Sequence, residues 1–192
     1  MIRKLPLTLL SLLFVLSFFS LQSQNPLAQR AFWKNQPKLD TVKALVQEGH
    51  DPSILDANAF DPVVWALLEK ADFEVIEYLL KLPGNSADKI THDGRTYLFW
   101  AAYKANLPVM QWLIENGAQT NMIDDHGYSI LNFAAVTGQQ DQAVYEFLIN
   151  NGAQPLQEKS RDGAHALLLL LPHLQNVDLI NFLESYGLQL KD

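Results

Sequence analysis

The sequence predicts an all-α solenoid of stacked helix–turn–helix units with short β-turn or hairpin fingers. The first observation is a glycine series, Gly49, Gly84, Gly117, Gly152 and Gly187, at spacings of 35, 33, 35 and 35 residues. The second is an apolar segment ahead of each glycine, such as Trp112-Leu113-Ile114. The third is the composition, 48% hydrophobic and 18% charged, which is typical of a folded protein. A short helix pair cannot bury its apolar face alone, but stacked copies can.

The N-terminal segment, residues 1–23, has the pattern of a secretory signal peptide. Arg3 and Lys4 precede an apolar run that ends at Leu21, and a polar stretch follows. A basic start, an apolar middle and a small residue near the exit predict cleavage near Ser23. We therefore expect a periplasmic or secreted protein that has no membrane attachment after cleavage. The alternative is an uncleaved anchor, for which the run is at the short end of the ~17–25 residues that span a bilayer.

The unit at 91–123 illustrates how each copy is built. Gly94 predicts a tight turn because glycine accepts a positive φ, and Thr96 is placed to cap a first helix. Pro108 begins a second helix, where its missing N–H does no harm. Gly117 ends that helix as a C-terminal cap. In the last unit, His165 occupies the same capping position as Thr96.

Two units resemble the ankyrin repeat. Residues 93–102, Asp-Gly-Arg-Thr-Tyr-Leu-Phe-Trp-Ala-Ala, are similar to that family's turn and first helix, and residues 109–118 to its second helix and cap. The unit at 124–159 matches equally well. The resemblance implies an N-terminal capping unit at 24–55, a divergent repeat at 56–90, repeats at 91–123 and 124–159, and a divergent repeat at 160–192 that we expect to continue beyond the chain end.

The sequence departs from the ankyrin pattern inside the first helices. The family's usual His is replaced by Val64, Phe99, Asn132 and Leu168. The hydrogen bonds that this His would make between units must therefore be replaced or absent.

Catalysis and cofactor binding are not indicated. The chain has no Cys, which removes disulfides, thiolate zinc sites and a Cys nucleophile, and its net charge of −7 disfavours nucleic acid as a partner. A nucleophile elbow, a phosphate loop and an HExxH motif are all lacking, so we predict no catalytic residues, no cofactor and no metal. His92 and His126 fall near adjacent turn tips, which we expect on the order of 10 Å apart. That separation is too large for two ligands of one metal, at about 2 Å each.

The resemblance implies that turn tips and the exposed side of each first helix form a concave face that binds an unidentified protein partner. The predicted contact residues are Asn58, Phe60, Glu69, His92, Asp93, Arg95, Tyr103, Lys104, Asp125, His126, Tyr128, Thr137, Arg161 and Asp162. Aromatic, basic and acidic side chains mixed in this way are typical of protein-binding faces. We expect a non-catalytic scaffold exported from a bacterial cytoplasm. The alternative is a regulatory or docking arm of a larger exported enzyme or effector.

The C-terminal unit is unusually apolar for the end of a repeat array. Leu167–Leu171 are five consecutive leucines, and further apolar residues follow them. Terminal repeats need a polar outer face to stay soluble. We therefore expect this end to be covered by further repeats, by a partner, or by a second copy in end-to-end self-association.

Overall fold

A computed structural model describes residues 25–190, and the predicted signal segment at 1–23 lies outside this range. Ten α-helices follow one another within it: α1 (Arg30–Lys34), α2 (Leu39–Gln47), α3 (Pro62–Leu68), α4 (Phe73–Leu80), α5 (Tyr97–Tyr103), α6 (Leu107–Glu115), α7 (Ile130–Val136), α8 (Gln142–Asn150), α9 (Ala166–Leu170) and α10 (Val177–Ser185). Short 3-10 turns lie at Pro26–Ala28, His92–Gly94 and Leu171–His173. The only β-pairing in this range is one isolated bridge between Ile123 and Ser129. The all-α solenoid predicted from the sequence is confirmed, while the exact unit boundaries stay a prediction.

The helices stack in two layers that run along the array. Of the first helices, α3 packs on α5, α5 on α7, and α7 on α9. Of the second helices, α2 packs on α4, α4 on α6, and α6 on α8. Because a first helix is covered by both neighbours and by its own second helix, it is buried nearly all round. This explains why Tyr97–Ala102 are all buried and read as a continuous apolar run.

The turns that join the units repeat one hydrogen bond in four copies. A backbone N–H donates to the carbonyl four residues on: Asp56 to Phe60 (2.7 Å), Thr91 to Arg95 (2.8 Å), Asp124 to Tyr128 (2.9 Å) and Ser160 to Ala164 (2.8 Å). The predicted tight turn at Gly94 is confirmed, since its φ is 73°. Each closed turn, which we call a finger, directly precedes the first helix of its unit.

The predicted helix starts are confirmed at all three positions, but the predicted side-chain capping bond is absent at one of them. Pro108 lies in the first turn of α6, and His165 Nδ1 accepts from the Leu168 N–H across 3.4 Å at the start of α9. The Thr96 hydroxyl makes no capping bond and is buried without a partner among the described residues. The reason is that the Phe99 N–H donates to the Thr96 carbonyl instead, across 3.1 Å.

Other residues supply hydrogen bonds where the family's His is missing. Within the repeat at 124–159, the Asn132 side chain, in the position of that His, donates to the Glu158 carbonyl at 3.2 Å. The Tyr97 hydroxyl reaches back to the fully buried carboxylate of Asp61 in the preceding unit. Lys89 Nζ lies 2.7 Å from the same carboxylate. The array is therefore tied by a buried polar network as well as by apolar packing.

The C-terminal unit buries only one side of its apolar residues. Leu167, Leu170, Leu179 and Leu183 belong to the core. On the outer side, Leu171 is 39%, Val177 66% and Leu190 46% exposed. Within residues 25–190, no helix has the length and apolarity needed to cross a membrane.

Candidate functional site

The fingers and the accessible sides of the first helices form one continuous surface, which we call the finger face. It comprises the fingers at 56–60, 91–95, 124–128 and 160–164 and the helices α3, α5, α7 and α9. All fourteen predicted contact residues belong to these elements or directly follow them. The structure divides most of them into a ladder along the finger tips and a groove beneath it.

Hydrogen bonds between neighbouring tips build the ladder. His92 Nδ1 lies 2.7 Å from the Asn58 carbonyl in the preceding finger. The Asp125 N–H donates to the Asp93 carbonyl across 2.9 Å, and the Arg161 guanidinium donates to the Asp125 carbonyl. Four successive fingers are thus connected tip to tip.

The carboxylate of Asp93 is the centre of this ladder. One of its oxygens, Oδ2, lies 3.3 Å from His92 Nε2, 3.1 Å from His126 Nε2 and 3.1 Å from Arg95 Nη1. Burial acts to raise the pKa of Asp93, but the hydrogen bond from His126 and the charges of His92 and Arg95 hold it below its ordinary value of 3.8. The carboxylate therefore stays ionised and joins two fingers.

The imidazoles of His92 and His126 both reach the carboxylate between them, at 3.3 and 3.1 Å from Asp93 Oδ2. The expected spacing of about 10 Å between adjacent tips stays a prediction. Within residues 25–190, no three His, Asp or Glu side chains converge in a way that could hold a metal ion.

The groove lies between the fingers and the far ends of α3, α5 and α7. Its main part, about 490 Å³, extends from Arg30 on α1 to Thr137 after α7, and is lined by Phe60, Trp100 and Phe133 among others. A second part of about 330 Å³ adjoins it and shares Tyr103, Lys104 and Thr137. The groove thus spans several units, as a surface for an extended partner must.

Aromatic rings form the floor of the groove. The Phe60 ring stacks on His92 with centroids 4.3 Å apart and lies 5.6 Å from Trp100. Trp100 and Phe133 meet edge to face at 5.9 Å. Tyr103, at 37% exposure, is the most accessible of the groove's rings.

Arg95 differs from the exposed contact residue that the sequence predicts. It is 7% exposed, and its Nε and Nη2 both lie 2.9 Å from Asp124 Oδ2. The guanidinium also lies 4.3 Å from the centroid of the Phe133 ring and 5.3 Å from that of Trp100. The predicted exposure is wrong because a carboxylate of the next finger and two rings cover the side chain. Arg95 holds the groove's floor in place.

Glu69, which the sequence also predicts as an exposed contact residue, is instead largely covered and ion-paired. Its carboxylate, 16% exposed, pairs with Arg30 of the capping unit. Arg30 in turn lies over the Trp65 ring, 5.4 Å from its centroid. Of this pair, Arg30 lines the groove.

The remaining predicted residues vary in exposure. Asn58, Asp125, His126, Thr137, Arg161 and Asp162 are exposed, whereas Lys104 and Tyr128 are half-buried. The Thr137 hydroxyl donates to the Phe133 carbonyl at 2.7 Å. Several residues that line the groove are not among the predicted contact residues, including Arg30, Lys70, Trp100 and Phe133. Lys70 directly follows the predicted contact residue Glu69, so extending the predicted set by one position after the first helix would have included it.

The fold and this surface define a repeat protein in which paired helices carry a row of fingers. Residues 27–124 and 64–159 match the family model described as ankyrin repeats, in three copies. The matched residues make up more than half of the 192-residue chain. The chain therefore belongs to the ankyrin-repeat family.

Known relatives share the repeats within much longer proteins. The palmitoyltransferase AKR1 of Lachancea kluyveri is 29% identical over 131 residues, 67% of this chain and 17% of that protein. Human neurogenic locus notch homolog protein 1 is 32% identical over 123 residues, 64% of this chain and 5% of that protein. Rat ankyrin repeat and SAM domain-containing protein 6 is 28% identical over 130 residues, 67% of this chain and 14% of that protein. The chain thus spans less than a fifth of the length of these relatives.

Proposed function

We propose that this chain is an exported, non-catalytic scaffold that binds a protein partner through the finger face. Ankyrin repeats generally mediate protein–protein interaction and are typically non-catalytic. The observation that carries the proposal is the groove, which crosses several units and presents accessible aromatic and basic side chains on a rigid floor. Aromatic residues in such positions supply most of the energy of many protein interfaces.

Affinity capture tests the binding face. We expect Tyr103→Ala combined with Tyr128→Ala to abolish capture of the partner from the periplasm of the native host. A matched control, Gln111→Ala with Glu146→Ala, replaces exposed residues of the second helices α6 and α8 and should retain capture. Far-UV circular dichroism verifies that both variants fold. Equal capture by the two variants would rule out the finger face.

Export rests on the signal pattern of residues 1–23 and is tested separately. Expression of the full chain in a bacterial host, followed by fractionation and N-terminal sequencing, should yield a periplasmic protein that begins near Gln24. Leu12→Asp with Phe14→Asp, which interrupts the apolar run, should keep the protein in the cytoplasm. Unprocessed protein in the membrane fraction would support the uncleaved anchor, and cytoplasmic wild type would contradict export.

A second candidate is the regulatory or docking arm of a larger exported enzyme or effector. It is favoured by the relatives, in which the matched repeats form 5% to 17% of the protein. The mass of the protein isolated from its native host distinguishes the two. A mass equal to 21.7 kDa minus that of the signal peptide favours the scaffold. A much larger mass favours the regulatory or docking arm.

We further propose that the C-terminal unit associates end to end with a second copy. Val177 and Leu190 present apolar surface at the end of the described array, at 66% and 46% exposure. Sedimentation of the mature chain should show a concentration-dependent dimer that Val177→Glu with Leu190→Glu removes. Ile123→Glu, at a 63% exposed apolar residue elsewhere, serves as the control and should leave the dimer intact. A monomer at all concentrations would refute the association.

A further inference from the structure

We propose that the groove recognises an acidic segment of the protein partner, with a carboxylate held by Lys70 and Lys104 and an adjoining apolar side chain placed on Tyr103. This inference rests on the proposed function, since it specifies the partner of the same face. Three features of the groove support it: the positive charge of its lining, two lysines that have no ion-pair partner, and aromatic rings that are already covered by arginines. The negative charge of the whole chain also bears on the choice of ligand.

The groove is positively charged although the chain is acidic. Its two parts are lined by Arg30, Lys70, Arg95 and Lys104, and no Asp or Glu is among their lining residues. The chain as a whole has a net charge of −7. A cleft with one sign of charge and apolar walls concentrates its field on a ligand of the opposite sign. The groove therefore selects an anionic group.

Two of these four cations are already used within the fold. Arg95 pairs with Asp124 and Asp93, and Arg30 pairs with Glu69. Within residues 25–190, Lys70 and Lys104 have no ion-pair partner, and the ammonium of Lys104 lies 5.3 Å from the centroid of the Tyr103 ring. The ammonium groups of Lys70 and Lys104 are thus the donors that remain for a ligand.

The environment of Lys104 reflects this unbalanced charge. Burial, followed by the positive charge of Lys70, lowers the pKa of Lys104, and Arg30 adds to the effect while Glu69 opposes it. An incoming carboxylate would relieve the repulsion between the two ammonium groups. Both lysines also follow the C-terminal ends of first helices, where a positive charge is favourable, but this role occupies none of their hydrogen-bond donors.

The aromatic rings do not form a cage for a cationic ligand. The guanidinium of Arg95 already lies over Trp100 and Phe133, and that of Arg30 lies over Trp65. A cationic ligand would meet these charges. Tyr103 remains as an accessible ring beside Lys104, so an apolar side chain next to the carboxylate can pack there.

Among anionic partners, a protein segment fits better than nucleic acid or a membrane. Nucleic acids and anionic lipids need an extended basic surface to overcome the repulsion from an acidic chain. Phosphate recognition favours free guanidinium forks, and both arginines of the groove are engaged. Two lysine ammonium groups next to one ring suit a single carboxylate with an apolar neighbour.

Selection from a displayed random-peptide library tests the inference. Wild-type mature protein should enrich peptides in which Asp or Glu adjoins an aromatic or large aliphatic residue. A synthetic copy of the most enriched peptide should bind on the order of 10- to 100-fold more weakly to Lys70→Glu/Lys104→Glu, because two attractions become repulsions. The matched control Lys34→Glu/Lys159→Glu changes two exposed lysines that do not line the groove and should bind as wild type does.

The other outcomes separate this inference from the proposed function. The selected peptides could instead lack Asp and Glu, fail to bind Tyr103→Ala and still bind Lys70→Glu/Lys104→Glu. That result would overturn the acidic segment but leave protein binding by the groove in place. Undiminished binding of the selected peptides to both Lys70→Glu/Lys104→Glu and Tyr103→Ala would contradict both proposals. Tighter binding of a single-stranded oligonucleotide, or of phosphatidylglycerol vesicles, than of the selected peptide would overturn the acidic protein segment in favour of those ligands.

Discussion

The carboxylate of Asp93 lies 3.1 Å from His126 Nε2, so a finger of one repeat is held to the finger of the next by an acid and an imidazole. The Asp93 carbonyl reinforces this contact by accepting from the Asp125 N–H at 2.9 Å. Two hydrogen bonds therefore fix the relative position of two tips that both belong to the finger face. A partner that contacts both fingers meets a preformed surface and loses less conformational entropy on binding.

The low pKa of Asp93 predicts a pH dependence of stability. Because the folded state lowers this pKa below 3.8, the contribution of Asp93 is fully present above that value. It is lost as the pH falls from 3.8 through the folded value, since the unfolded chain binds the proton first. We expect the stability difference between wild type and Asp93→Asn, measured by urea unfolding, to shrink on acidification through this window.

A control at an exposed acid tests whether the effect belongs to Asp93. Asp162→Asn removes a carboxylate from the finger at 160–164, where Asp162 is exposed and makes no ion pair within the described residues. Its stability difference from wild type should stay small across the same pH window. Parallel curves for Asp93→Asn and Asp162→Asn would contradict the role assigned to the tip ladder.

We predict that replacing Arg95 lowers the free energy of unfolding and does not affect partner binding alone. Arg95→Met removes a nearly buried guanidinium and leaves the fully buried carboxylate of Asp124 without its ion pair, which should cost about 3–5 kcal/mol. Arg30→Met breaks the more exposed pair with Glu69 and should cost less than about 1 kcal/mol. Chemical unfolding followed by tryptophan fluorescence measures both. Equal losses would show that Arg95 is not held as the structure describes.

The repeat architecture was predictable because its determinants are local. A turn glycine, a proline in the first helical turn and a terminal glycine each act within a few residues of themselves, so their recurrence reveals the units. Gly94 and Pro108 behave as such positions should.

The site was less predictable because its determinants lie in neighbouring units. Arg95 is covered by Asp124 and Phe133 of the next repeat, and the register of one sequence does not reveal how far a side chain is enclosed. Arg30 reaches the groove from the capping unit, whose first helix has only five residues. The tip ladder depends on the reach of His92 and His126 across the space between fingers. Exposure and pairing of side chains therefore required the three-dimensional arrangement.

The buried network at Asp61 predicts a large difference between two lysines. Lys89→Met leaves the fully buried Asp61 carboxylate without its ammonium partner, which should cost about 3–5 kcal/mol. Lys81→Met breaks only an exposed pair with Glu77, four residues earlier, and should cost about 0.3–0.5 kcal/mol. Both positions lie outside the helices and both variants replace Lys by Met, so the change in side-chain volume is matched. Urea unfolding at neutral pH measures both losses. Similar losses would show that the buried network at Asp61 does not stabilise the fold.

Tyr97→Phe tests the other member of this network. Burial and the adjacent Asp61 raise the pKa of Tyr97, so its hydroxyl stays protonated and donates to the carboxylate. Its removal should cost roughly 1–3 kcal/mol, as for other hydrogen bonds to charged groups.

A double-mutant cycle measures whether the two side chains act on the same carboxylate. If Tyr97 and Lys89 both stabilise ionised Asp61, the loss in Tyr97→Phe/Lys89→Met should differ from the sum of the single losses by at least about 0.5 kcal/mol. Tyr145→Phe is the control, because its hydroxyl is bound to the Gln139 carbonyl at 2.7 Å, remote from Asp61. Its effect should add to that of Lys89→Met within about 0.5 kcal/mol. Additivity in both cycles would contradict a shared carboxylate.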